Sequence, residues 1–188
     1  EVQMVEASFG FNTPYDPASR LWSPDLAGGS LLDIGIYPLT LAEWVFQAQP
    51  VTFEAQAELS PDGVDAALYL SASYSTGQSA KLASAINSDL ALDGRIVGSE
   101  GRIDIPQFWR AEQMTLSSLS GKKLDEVYEP HQINGLEYQI IEVAQCLKAG
   151  LAESPVVRWA WSLAMTELMD EIRSQIGVVY PCDKATPL

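Results

Sequence analysis

Residues 51–87 read VTFEAQAELSPDGVDAALYLSASYSTGQSAKLASAIN, and this stretch decides the fold class. Three runs rich in β-forming residues, Val51 to Leu59, Ala66 to Tyr74 and Ser79 to Asn87, are separated by Pro61-Asp62-Gly63 and by Thr76-Gly77-Gln78. Both separators are hairpin-like turns: Gly supplies positive φ, and Pro and Asp favour tight turning. The three runs therefore predict consecutive antiparallel strands.

The pattern continues downstream. Leu90 to Gly98 and Gly101 to Ile105 predict two strands joined through Ser99-Glu100. Met114 to Leu119 and Leu124 to Tyr128 flank the hairpin turn Ser120-Gly121-Lys122-Lys123. Upstream, Val2 to Phe11 reads as a strand, and Asn12 to Leu26, with three prolines, as a loop. A helix is predicted from Ser30 to Phe46, and two more from Gly135 to Ala149 and Trp159 to Ile176. The last of these carries Leu163, Leu168, Met169 and Ile172 at helical spacing. Strands in hairpins followed by segregated helices give an α+β fold: a mostly antiparallel, open-faced sheet with helices packed on one face. No repeat or low-complexity tract divides the chain, so residues 1–188 read as a single domain.

Composition limits the function. With 188 residues, 47% hydrophobic and 19% charged, the chain can bury a substantial core. A formal net charge of −14 argues against nucleic-acid phosphate and anionic membrane surfaces as partners. No apolar run is long enough to span a bilayer. Two cysteines, Cys146 and Cys182, suit free thiols in a reducing, cytoplasmic setting, with Cys146 expected on the inner side of an amphipathic helix. With His131 as the one histidine and no CxxC, a His/Cys metal site is excluded on numbers.

The chemistry concentrates in Gly28-Gly29-Ser30-Leu31-Leu32-Asp33-Ile34-Gly35-Ile36-Tyr37. On an α-helix, Asp33 and Tyr37 lie one turn apart on one face. A positioned phenol can relay a proton to a carbonyl or from an alcohol, so the pair suits acid/base work. Gly35 inside the helix implies close approach of something to the backbone, either a cofactor or another helix. Pro38 predicts a kink or break.

This segment resembles the G-G-x-L-x-D-x-G-x-[YH] signature of the Gfo/Idh/MocA oxidoreductases, in the tyrosine form of the glucose-fructose oxidoreductase and dimeric dihydrodiol dehydrogenase branch. Gly135-Leu136-Glu137-Tyr138-Gln139, Cys146 to Gly150, Glu153-Ser154-Pro155 and Leu168 to Arg173 resemble that family's closing helices and the loop between them. The resemblance implies the C-terminal, substrate-binding and dimerisation half of an NAD(P)-dependent oxidoreductase acting on a sugar, polyol or cyclic alcohol. NAD or NADP would be bound mainly by an N-terminal dinucleotide-binding domain. That domain reads as absent here, since there is no G-x-G-x-x-G and no E-K-P lysine. Gly98-Ser99-Glu100-Gly101 reads only as a hairpin turn. Because the chain opens at Glu1 and directly on a strand, a truncated or processed polypeptide, inactive alone, is expected. A non-enzymatic sugar-binding or dimerisation module derived from the same fold stays open.

Carried onto this sequence, the resemblance makes Tyr37 the proton donor and Asp33 a carboxylate that orients substrate hydroxyls or the lysine; Asp33 also reads as an ordinary helix or capping carboxylate. Ile105-Pro106-Gln107-Phe108-Trp109-Arg110 resembles a stretch of the dihydrodiol dehydrogenase branch in which the tryptophan lines the substrate pocket. Phe11 would face Trp109, and both also read as core aromatics. Arg20 and Trp22 would form the pocket rim, with a solvated arginine as the plain alternative. Gly35 is a weak cofactor contact. His131 and the hairpin lysines Lys122 and Lys123 carry no catalytic expectation. The open sheet face implies a homodimer.

Overall fold

The structure is a computed structural model and describes residues 1–184. Eight strands form one sheet in the order β2-β3-β4-β1-β5-β6-β7-β8. They are β1 (Val2–Gly10), β2 (Thr52–Leu59), β3 (Asp65–Ser73), β4 (Ser79–Ala85), β5 (Gly94–Gly98), β6 (Gly101–Ile105), β7 (Gln113–Ser118) and β8 (Lys123–Tyr128). Every neighbouring pair is antiparallel except β1 with β4, which run parallel from Met4 opposite Ser79 to Gly10 opposite Ala85. The antiparallel, open-faced α+β architecture read from the turns is the one observed.

The helices are α1 (Ile36–Phe46), α2 (Glu137–Lys148) and α3 (Trp159–Ile176). Strand alternation decides which sheet face they cover. Val5 and Ala7 of β1, Leu68, Leu70 and Ala72 of β3, and Ala80 and Leu82 of β4 are buried under α1 and α3. Met165, Leu168, Met169 and Ile172 of α3 complete that core. Each fully buried Leu, Ile or Met contributes about 1.5–3 kcal/mol relative to exposure. The alternate residues, including Glu6, Tyr69, Lys81, Arg95 and Asp104, line a cavity of about 570 Å³ on the opposite, uncovered face.

Two expectations are corrected. The helix read as Ser30 to Phe46 is a π-helical turn, Leu31–Gly35, that passes into α1 at Ile36. Pro38 supplies the reason: it has no N–H to donate to the carbonyl of Ile34, and its ring would crowd that carbonyl in a continuous α-helix. The wider turn ends ahead of it, so Pro38 sits in the first turn of α1, where a missing N–H costs nothing. Second, α2 does not bury an inner face. Ile140, Val143 and Leu147 are exposed, and Cys146 is only half-buried, its Sγ 3.5 Å from Glu142. Among the described residues no helix is long and apolar enough to cross a membrane.

Candidate active site

β1 runs through the middle of the sheet and delivers Phe9 to its end, on the face that α1 covers. Tyr37, in the first turn of α1, lies over it with ring centroids 5.4 Å apart. After β6 the chain passes through Gln107, whose φ of 47° is left-handed, into a short 3₁₀ turn, Phe108–Arg110. That turn stacks Trp109 on Phe9 at 5.3 Å with a 23° interplanar angle, and sets it edge-on to Tyr37 at 6.3 Å. The three rings form one aromatic wall. Tyr37 is 40% exposed at its open side, so its hydroxyl-bearing ring can meet a ligand.

The wall is held from behind. Arg110 lays its guanidinium 4.8 Å from the centroid of Trp109. His131 donates from Nε2 to the carbonyl of Arg110 at 3.0 Å, since a carbonyl only accepts. The backbone N–H of His131 donates to Glu112 Oε1 at 2.7 Å. Glu137 fastens the loop that follows, accepting the N–H groups of Ile133, Asn134 and Gly135 at 2.7–3.1 Å. Despite the cost of burial, these donors hold its carboxyl down to about 2.

A second group forms at the glycine pair itself. Arg20 donates to Asp33 at 2.7 Å, and both line a cleft of about 240 Å³ with Gly28 and Leu32. Arg20 is largely exposed, so this pair contributes at most about 1 kcal/mol to stability and matters for where it places charge.

Beneath the glycine pair is a buried polar network that the sequence reading missed. Asp65, the first residue of β3, is 0% exposed. Its Oδ2 accepts the N–H of Leu31 at 2.6 Å and the hydroxyl of Ser30 at 2.8 Å, and Ser30 Oγ lies 2.9 Å from Ser84 Oγ. Burial pushes the Asp65 carboxyl above its usual range, against the hydrogen bonds to Ser30 and Leu31. From the C-terminal side, the hydroxyl of Tyr180 donates to the carbonyl of Gly28 at 2.6 Å. Arg173 braces that tyrosine, lying 4.8 Å from its ring centroid and pairing with Asp183 at 2.8 Å.

The sequence-predicted residues thus divide. Tyr37 and Trp109 come together, and Arg20 and Asp33 come together, each pair with its own partners. Phe9 takes the place facing Trp109 that was expected of Phe11, and both phenylalanines pack against the cluster around Trp22. Alternation alone does not separate the two, since positions 9 and 11 both follow Val5 and Ala7 in phase; the end of β1 at Gly10 does. Trp22 is 3% exposed and belongs to the core with Ile34, Val64 and Ile86, so its expected rim position is corrected. Gly35 is corrected likewise. It is buried against the sheet, and a Cβ there would lie 3.0 Å from Ser84 Oγ, so the close approach it permits is to β4.

The start of this helical segment is occupied from within the protein. A pyrophosphate needs free backbone N–H groups at a helix N-terminus, and here the N–H of Leu31 already serves the Asp65 carboxylate. Among the described residues, no group of three or more His, Cys, Asp or Glu is placed to hold a metal ion.

Comparison with known proteins places this arrangement. Residues 1–104 match the family model described as the GFO/IDH/MocA C-terminal domain. A trans-1,2-dihydrobenzene-1,2-diol dehydrogenase of Xenopus laevis is 33% identical over 187 residues, covering 96% of this chain and 56% of that protein. The protein of that name from Mus musculus is 30% identical over 189 residues, with 98% and 56% covered. The chain thus spans little more than half the length of these relatives. Among solved structures, an aldose-aldose oxidoreductase from Caulobacter crescentus complexed with glycerol superposes with a TM-score of 0.78 at 24% identity, over 93% of this chain and 53% of that one. A 3-ketoreductase from Actinomadura kijaniata in complex with NADP and TDP-benzene gives 0.79 at 22% identity, over 94% and 54%. At these identities the structural likeness establishes the fold.

Proposed function

The chain belongs to the Gfo/Idh/MocA family, as its C-terminal domain, and on that premise we propose that it is the substrate-binding half of an NAD(P)-dependent oxidoreductase with Tyr37 as proton donor. The observation that carries the reading is the placement of Tyr37: a half-exposed phenol packed against the stacked pair Phe9 and Trp109 at the open side of the aromatic wall. The flat ring of a cyclic diol, or the apolar face of a sugar, suits such a wall, and polar groups at its edge set orientation. The relatives named as dihydrodiol dehydrogenases favour the cyclic diol within this substrate class.

In this reading the substrate oxygen sits at the Tyr37 hydroxyl, which gives a proton to a carbonyl and takes one from an alcohol in the reverse direction. Asp33, kept in place by Arg20, orients a neighbouring hydroxyl or a lysine supplied from elsewhere in the longer protein. The dinucleotide, NAD or NADP, is bound mainly by a separate N-terminal domain, consistent with the filled helix N-terminus at Leu31. The protein works in the cytoplasm, where the unpaired Cys146 and Cys182 stay reduced. Two copies pair through the uncovered sheet face around Tyr69 and Arg95.

The test is Tyr37→Phe in the full-length protein, assayed by NADP reduction with trans-1,2-dihydrobenzene-1,2-diol. Loss of a general acid/base lowers turnover by ~10²-fold or more. Turnover within a few-fold of wild type refutes the role. A polyol that raises the melting temperature with no nicotinamide reduction in the full-length protein points instead to a non-enzymatic binding module.

A further inference from the structure

We propose that Asp65 is the positioning residue of this site: its buried carboxylate caps the π-helical turn and, with Ser30 and Ser84, sets the direction in which Asp33 and Tyr37 leave the sheet. The inference rests on the reading of Tyr37 and Asp33 given above, and deepens it.

The argument begins with an omission in the local capping. A serine at a helix start ordinarily accepts an N–H of the first turn through its own hydroxyl, with extended backbone. Ser30 stands at that place but has helical φ and ψ of −71° and −35°, and its side chain makes no such bond. Its hydroxyl donates to Asp65 instead, and the orphan N–H of Leu31 is taken by the same carboxylate oxygen. The cap therefore comes from β3, 34 residues along the chain. A negative charge at this end also suits the helix dipole.

Two glycines of the signature serve this network. Gly29 has φ +116°, and a Cβ built there would stand 2.2 Å from Asp65 Oδ1. Gly35, five residues after Ser30, would place a Cβ 3.0 Å from Ser84 Oγ, itself 2.9 Å from Ser30 Oγ. Glycine at both positions lets the turn close down on the Asp65–Ser30–Ser84 group from either end. A π-helical turn is a rare geometry, found mostly at functional sites, and needs support from outside itself. Asp33 lies within the turn, and Tyr37 two residues beyond it, so a change in its pitch or start swings both side chains. Asp65 faces no substrate, being wholly buried, and acts only through that backbone.

The experiment compares wild type with Asp65→Ala, Asp65→Asn and Ser30→Ala, all read in two ways. In the unliganded chain, two-dimensional NMR follows the Leu31 amide and the Trp109 indole N–H, which reports the ring stacked beside Tyr37. In the full-length protein, kcat and KM are measured with trans-1,2-dihydrobenzene-1,2-diol. Asp65→Asn keeps an acceptor for Leu31, so it holds both NMR signals near their wild-type positions and kcat within about threefold. Asp65→Ala displaces both signals and lowers kcat about tenfold or more, with KM less affected. If Asp65→Ala does not fold, Ser30→Ala carries the test: it removes one donor, leaves Leu31 bonded, and shifts the Trp109 signal with a smaller drop in kcat. Folded Asp65→Ala with an unmoved Trp109 signal and unchanged kcat overturns the proposal, as does an Asn variant no better than Ala. If wild type turns over no diol, the functional reading fails, and the two NMR signals still decide whether Asp65 positions the turn.

Discussion

Gly29→Ala isolates the most demanding contact in the molecule. The backbone at this position has φ +116°, outside the left-handed basin that other residues tolerate, which costs about 1–3 kcal/mol. The added methyl also meets Asp65 Oδ1 at 2.2 Å, so the carboxylate must retreat by roughly 1 Å to reach an ordinary contact. Retreat strains bonds of 2.6 Å to Leu31 N–H and 2.8 Å to Ser30 Oγ, and a hydrogen bond to a charged group is worth about 1.5–3 kcal/mol. Together the expected loss is about 3–6 kcal/mol, a large share of the ~5–15 kcal/mol available to a domain. Gly63 and Gly77 are the controls. They have φ of +85° and +83° at the hairpin tips, with nothing within 4 Å of a built Cβ, so Ala there costs only the backbone strain of about 1–2 kcal/mol. Urea unfolding measures all three, provided the m-value is unchanged. Combining Gly29→Ala with Asp65→Ala relieves the clash and couples the two by about 1–3 kcal/mol in the favourable direction. A Gly29→Ala cost equal to that of Gly77→Ala within ~1 kcal/mol, or strict additivity with Asp65→Ala, would refute the claim that the glycine exists to admit the carboxylate.

Other consequences follow from single contacts. Tyr180→Phe removes the donor to the Gly28 carbonyl and is expected to cost about 1–2 kcal/mol in urea unfolding, while a change below ~0.3 kcal/mol would show that Tyr180 packs without tethering the turn. Glu137 titrates near 2 in the folded chain against an ordinary value of 4.5, so its stabilisation is complete above pH 4.5 and is lost as the pH falls toward 2. Amide protection factors at Ile133 to Gly135 should fall as the pH drops through that window in wild type and already be low at neutral pH in Glu137→Ala, which has no acceptor; identical profiles contradict the assignment. Tyr69→Glu on the uncovered sheet face should shift sedimentation of the protein from dimer to monomer, and a wild-type protein that already sediments as a monomer removes that interface.

Much of the architecture was readable because it depends on short-range rules. Hairpin turns at Pro61-Asp62-Gly63 and Thr76-Gly77-Gln78 fix antiparallel neighbours through local backbone geometry alone. Trp159 to Ile176 is bounded by a positive-φ glycine, Gly177, at its C-terminal end, so its length followed from sequence. The parallel β1–β4 pairing was not readable in this way, since no local turn connects the two strands. Phe9 and Phe11 were confused for a related reason: a strand read through to Phe11 puts both on one face, and which of them meets Trp109 depends on where the strand stops. Gly10 ends it, so Phe9 is the last strand residue on that face.

The signature itself shows the deeper limit. Its glycines, serine and aspartate were legible as a motif, but what they accommodate was not, because Asp65 falls between the turn and the strand read from Ala66, while the structure makes it the first residue of β3. A buried carboxylate without a cation beside it is a costly choice that a sequence gives no reason to expect. Three facts make it intelligible together: Ser30 cannot cap its own helix from a helical backbone, Leu31 needs an acceptor, and Gly29 leaves room for one. All three sit on consecutive residues, and only the fold brings the carboxylate of Asp65, 34 residues further along, within 3 Å of them. The helix N-terminus behind the glycine pair is thereby turned inward to serve the protein's own carboxylate, which in our proposal fixes the direction in which Asp33 and Tyr37 stand. Asp65→Asn against Asp65→Ala decides whether that inward turn serves catalysis or only stability, since the two variants lose the same charge and differ in the acceptor that holds Leu31.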